Sequence, residues 1–179
     1  MKMLRTIRLD PSDTFVFERA AEPGEWAVTG TFAFWHCDLS ALSGKARTAF
    51  RSGFLGVNSL GYSTLVQVVE AREQDRDAAI GLLAERLVSQ FGAPDQDAAR
   101  ASASEEIAFA TSLADHDSGT LVALHRAYEE GEIREQFRTL KPRENSKAFR
   151  AFAFHEVEGE DEPIEDDVDL MRLSQGPVR

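Results

Sequence analysis

The chain has a single cysteine, Cys37, which excludes an internal disulfide framework and a four-cysteine zinc knuckle. No apolar run approaches the ~20 residues that a membrane span needs. The start, MKMLRTIRLDP, lacks the apolar core of a signal peptide. Both absences fit a cytoplasmic protein with no membrane partner. Motifs that mark catalysis are missing as well: there is no GxxxxGK(S/T) phosphate loop, no GxGxxG and no GxSxG elbow. His36, His116, His125 and His155 lie far apart and form no HxH, HxxxH or HExxH pair, so a metal site has no local signature. His36, Cys37 and Asp38 set three ligand types side by side, but consecutive residues of a strand point to alternating sides. Cys37, next to an aromatic strand, reads as a small buried hydrophobe rather than a nucleophile. Carboxylates are numerous but scattered, so no general-acid pair stands out. The sequence therefore assigns no catalytic residue, no metal ligand and no cofactor, and it leans away from an enzyme.

What is present suits one soluble domain. The chain has 179 residues, of which 42% are apolar, enough to bury a core without a metal or disulfide staple. The net charge of −11 is uneven. Residues 1–155 hold 22 acidic and 18 basic side chains, whereas residues 156–179 hold nine and two. An acidic balance of this kind repels phosphate backbones and disfavours nucleic acid as a partner.

Periodicity gives the order of elements. Alternation predicts strands over 3–9, 14–19 and 26–35, the last with Trp26, Val28, Phe32 and Phe34 on one face and Gly30 breaking the row. A helix capped at Asp38 or Ser40 runs to about Arg51, ended by the glycines at 53, 56 and 61. Residues 64–70 read as a central strand covered on both faces. A helical stripe of Ala79, Ile80, Leu83, Ala84, Leu87, Val88 and Phe91 is stopped by Gly92 and Pro94. A further helix covers 95–114. Strands over 120–128 and 133–140 flank the turn Glu129-Glu130-Gly131-Glu132, and a last strand covers 149–157. The expected fold is α+β, with a largely antiparallel sheet of about seven strands and about three helices packed on one side. Residues 1–157 form one domain, and 158–179 read as an acidic tail, mobile or loosely docked.

Two basic clusters are candidate binding surfaces. Lys45, Arg47 and Arg51 precede a glycine-punctuated loop over 52–61, whose amides could converge on an anion such as a phosphate or carboxylate. Arg47 and Arg51, four apart, share a helix face. Such a helix equally reads as a plain solvated face followed by a flexible connection. Arg134, Arg138, Lys141 and Arg143 form the second cluster, followed at once by the acidic run from Glu156 to Asp169. The tail could cover these cations in place of an acidic partner, or both could simply be solubilising charge.

The runs WAVTGTFAFW (26–35), FRSGFLGV (50–57), STLVQVVEA (63–71), EEIAFATSL (105–113) and GEIREQF (131–137) resemble a bacterial protein family of unknown function. The resemblance implies no catalytic residue. It does imply genes near accessory genes of molybdenum-dependent formate dehydrogenase and near a biotin/lipoate ligase-like protein, and so an accessory or assembly role. Three functions are carried forward as expectations: a non-catalytic accessory protein with a protein partner, an anion-binding protein or minor enzyme using Lys45, Arg47 and Arg51, and a structural homodimer.

Overall fold

The computed structural model describes residues 1–142 and 154–156. In chain order the elements are β1 (Lys2–Thr6), α1 (Asp13–Val16), β2 (Ala27–Val28), a 3-10 turn (Thr31–Phe34), α2 (Gly44–Ser52), β3 (Phe54–Gly56), β4 (Tyr62–Ser63), β5 (Leu65–Glu70), α3 (Glu73–Gln90), α4 (Gln96–Ser112), β6 (Leu121–Glu129), β7 (Glu132–Pro142) and β8 (Phe154–Glu156). The fold is α+β. Its strands form two antiparallel sheets, β1-β5-β6-β7-β8 and β2-β3-β4.

Register decides which face of the larger sheet is core. Leu4 faces Val68, Val66 faces Val122, and Leu124 faces Phe137, so these side chains share one side. Leu4, Val66, Val68, Val122 and Leu124 are all buried. The helices supply the other half of the same core. α3 contributes Ala79, Ile80, Leu83, Ala84 and Leu87, and α4 contributes Ala99, Ala103, Ile107 and Ala110. Three of these four α4 residues, Ala99, Ala103 and Ala110, are alanines, so the buried stripe of the helix carries little bulk and its neighbours can lie close. Phe137 joins β7 to this layer, with ring centroids 5.9 Å from Phe109 of α4 and 6.5 Å from Phe54 of β3. On the opposite face of the sheet His125 and Gln136 sit opposite one another and are exposed.

Local chemistry fixes the ends of these elements. Gly92, at φ 75°, stops α3 in the left-handed region. The Asp95 carboxylate then accepts from the Ala98 amide at 2.8 Å and starts α4. Glu130 and Gly131, at φ 53° and 86°, form the two-residue turn between β6 and β7, the primed turn whose twist matches a hairpin.

The sheet differs from the single one expected, for three reasons. Residues 14–19 are not a strand. The Asp13 carboxylate accepts from the Leu9 and Asp10 amides, the Asp10 carboxylate accepts from Ser12, and the segment closes into α1. Side-chain acceptors next to the backbone outcompete β-propensity here. The strand expected over 26–35 ends after Val28. Gly30 takes φ 73°, and a Cβ on it would lie 2.5 Å from the Cβ of Leu55. That close approach leaves room only for glycine and turns the chain into the 3-10 turn. Residues 52–61 are not an open loop either. Phe54, Leu55 and Val57 are fully buried and draw the segment into β3. α2 also begins later than expected, at Gly44, because Asp38 holds the Ser40 amide and hydroxyl in a turn of its own. Strand β5 is central, but only Val66 and Val68 are fully covered. The tail over 158–179, Arg143 and most of the strand expected over 149–157 lie outside the described residues.

Candidate functional site

A second, smaller core sits beside the main one. Phe17, Phe34, Ala49 and Phe50 are buried together, with Tyr62 packed against them. Phe34 meets Phe50 edge-on at 5.3 Å, and Tyr62 stands 5.8 Å from both Phe17 and Phe34. Three chain segments, around α1, the 3-10 turn and α2, are thereby welded into one aromatic lobe. The neighbours of the buried rings point the other way. Trp35, next to Phe34, is 83% exposed, and Phe15, two residues from Phe17, is 72% exposed, with Val16 also in solvent.

Arg126 fastens this lobe to the sheet. Its side chain is completely buried. It lies on the inward face of β6, in line with Val122 and Leu124. Nε donates to Glu135 Oε1 at 2.7 Å, Nη1 donates to the Phe50 carbonyl at 2.7 Å, and Nη2 donates to the Thr29 carbonyl. The guanidinium also lies 5.8 Å from the Phe34 ring and 6.0 Å from the Phe50 ring. One planar fork thus grips the chain just before the 3-10 turn and the last turn of α2. Each side of the group is committed to the protein itself, so Arg126 positions the lobe and offers nothing to a ligand. Burial pulls its pKa down, and the hydrogen bond and charge of Glu135 counter that.

Two further carboxylates complete the cluster. Glu135 also accepts from the Thr31 hydroxyl. Glu106, on α4, has one carboxylate oxygen buried without a hydrogen-bond partner among the described residues. Burial pushes its pKa up to about 7, the Glu135 charge adds to the rise, and Arg126 opposes it. Burial likewise raises the Tyr62 phenol.

The residues singled out from the sequence fall differently. Lys45, Arg47 and Arg51 are all exposed on α2, and Arg47 Nε donates to the Leu42 carbonyl at 2.7 Å. Among the described residues no carboxylate pairs with any of the three. The amides expected to cradle an anion beside them are already used: Asn58 and Ser59 donate to Glu25 Oε2 at 3.0 and 2.8 Å, and Glu22 donates to Oε1 at 2.7 Å. The anion of that loop is therefore the protein's own buried carboxylate. Glu25→Ala is expected to lower unfolding stability by about 1 kcal/mol, since the freed amides near the surface regain water. A urea titration measures it.

Of the second cluster, Arg134 pairs with Glu129 at 3.3 Å and Lys141 with Asp117 at 3.2 Å, both on the surface. Arg138 lines a shallow concavity of about 300 Å³ with Ala123, Leu124, His125 and Gln136. Strand parity separates Arg134 and Arg138 from Lys141, so these cations do not form one surface. Cys37 is exposed, not buried as expected, because the strand that would have turned it inward ends at Val28. His36, His116 and His125 are exposed as well. Among the described residues no three His, Cys, Asp or Glu side chains are placed so that they could hold a metal ion, and no helix is long and apolar enough to cross a membrane.

Sequence reading missed Arg126, Glu106, Glu135 and Glu25. Two of them carry a signal in hindsight. Arg126 continues the inward alternation of Val122 and Leu124, and Glu106 falls between Ala103, Ile107 and Ala110 on the buried stripe of α4. A charge at a core position has to be paired or neutralised.

No curated protein and no solved structure matches the chain. A family model does, over residues 1–160. This chain, with its aromatic lobe pinned by a buried arginine, belongs to DUF6505, a family of unknown function.

Proposed function

We propose that the chain is a non-catalytic accessory protein that binds another protein through the lobe bearing Phe15 and Trp35. One observation carries this reading: two large aromatic side chains stand 72% and 83% exposed on segments whose neighbouring rings are locked in a core. Rings presented by a rigid base lose little entropy on docking, and Trp and Arg are the usual anchors of protein interfaces. Lys45, Arg47 and Arg51 belong to the same lobe, because Phe50 of α2 packs on Phe34 beside Trp35. The fitting occupant is therefore a protein segment that joins apolar side chains to carboxylates. The gene neighbourhood implied by the family resemblance names the first partners to try, the assembly proteins of a molybdenum enzyme.

Trp35 makes the test direct. It is the exposed one of two tryptophans, and Trp26 is partly buried under Arg5. A purified partner should shield Trp35 from acrylamide quenching. Phe15→Ala/Trp35→Ala should weaken that partner at least tenfold while changing stability by no more than about 0.5 kcal/mol, as expected for exposed positions. Arg47→Ala/Arg51→Ala should weaken it too. Equal binding by wild type and both variants would overturn the reading. Light scattering separates the homodimer: a dimer dissolved by Trp35→Ala would make the occupant a second copy and replace the accessory role.

A further inference from the structure

The outer face of the larger sheet carries a cation that has no acceptor. Arg5 lies on β1 opposite Gln67 of β5, and on its other side it bridges to Trp26. Its guanidinium stands 4.1 Å from the centre of the Trp26 ring. Stacking of this kind holds the plane of the fork. The side chain is half-buried, and its Nε is out of water without a hydrogen-bond partner. Among the described residues no acceptor and no carboxylate meets any of its nitrogens. Arg126, on the inward face, gives its donors to three acceptors of the protein itself. Arg5 gives its donors to none. A charge partly removed from water calls for a partner.

The surroundings say what kind. Register places Met3 with Val69 on one flank of Arg5 and Leu65 with Ala123 on the other, and Leu121 lies beyond Gln67. Met3 and Leu121 are buried, while Leu65, Gln67 and Val69 are half-buried. In these rows of the ladder β1, β5 and β6 hold no Asp or Glu, and Arg5 is their one cation. A single cation among apolar side chains suits a single negative charge on an apolar body. A planar carboxylate meets that description, whereas a phosphate brings a second charge with nothing to answer it. We propose that the outer face of β1 and β5 binds an aliphatic carboxylic acid, with the carboxylate on the Arg5 fork beside the Gln67 amide and the chain against the apolar side chains around them. The inference stands without the Trp35 lobe.

Sodium octanoate is the probe, titrated by calorimetry into the full-length protein. It should bind saturably, with a Kd of about 1 mM or lower for a ligand of this size. 1-Octanol has the chain without the charge, and acetate has the charge without the chain. Each should bind at least tenfold more weakly. Arg5→Gln should weaken octanoate at least tenfold as well, the loss expected of a charge-assisted fork. No saturable binding of octanoate, or equal affinities in Arg5→Gln and wild type, would sink the proposal. Inorganic phosphate that displaces octanoate at equal concentration would refute the carboxylate class. The wild type gives an independent reading through its two indole N–H resonances. Octanoate should shift that of Trp26 and leave that of Trp35 in place. A shift at Trp35 alone would put the ligand on the lobe and count equally against the site.

Discussion

Arg126→Ala is expected to cost about 3–5 kcal/mol of unfolding stability, the range for breaking a buried ion pair from one side. The variant removes one cation and strands three acceptors. Glu135 keeps its charge with only 18% of its side chain exposed, and the Phe50 and Thr29 carbonyls lose their donor. For a chain of this size the loss converts to roughly 6–20 °C in Tm. Urea unfolding at matched m-values measures it directly. Damage should begin in the lobe, because both carbonyls belong to segments that carry it. Hydrogen exchange over 29–36 and 44–52 should therefore accelerate before exchange in β6 does. Arg126→Lys should fall in between, since an ammonium keeps the charge but cannot span three fixed acceptors in one plane. A loss below about 1 kcal/mol in Arg126→Ala would show that the guanidinium is not the pin described here.

How much of this was legible in the sequence depends on the range of the interaction. The long helices were readable because Ala79, Ile80, Leu83, Ala84 and Leu87 repeat with the period of the helix itself, and Gly92 and Pro94 mark its end locally. The β6–β7 hairpin was readable because Glu130-Gly131 encodes its turn in two residues. Residues 14–19 misled because Phe15 and Phe17 alternate like a strand, whereas the deciding contacts are the carboxylates of Asp10 and Asp13 upstream. Gly30 interrupts the aromatic row in the sequence, but its reason, the Leu55 side chain against its α-carbon, lies 25 residues away. The candidate site is a stronger case. Arg126 reaches Phe50 across 76 residues and Thr29 across 97, and no local pattern encodes such contacts. Exposed cations such as Arg47 draw the eye in a sequence, while the arginine that organises the lobe looks like any other charge until strand parity places it inward.

The cluster beneath the lobe also makes stability depend on pH in an unusual direction. Glu106 has a folded-state pKa of about 7 against 4.5 for the free side chain. Between those values the folded protein holds a proton that the unfolded chain has released, so stability falls as pH rises through that window and levels off above it. Most carboxylates act the other way, because pairing lowers their pKa. The desolvated carboxylate is the main cause. Glu135 and Glu105 add to it by repulsion, and Arg126 works against it. Glu106→Gln keeps the shape and removes the titration. Relative to wild type it should gain about 2 kcal/mol between pH 4.5 and pH 8, less than the full ~1.4 kcal/mol per pKa unit because the side chain keeps some contact with water. Urea midpoints of the two proteins measured across that range test it, and parallel curves would remove Glu106 from the account. Glu135→Gln should move the fall to lower pH by taking away a repelling charge. Arg126→Ala should move it higher, because the one cation that helps Glu106 ionise is gone. These opposite displacements of a single titration would tie Glu106 to the same buried cluster that holds the Trp35 lobe in place.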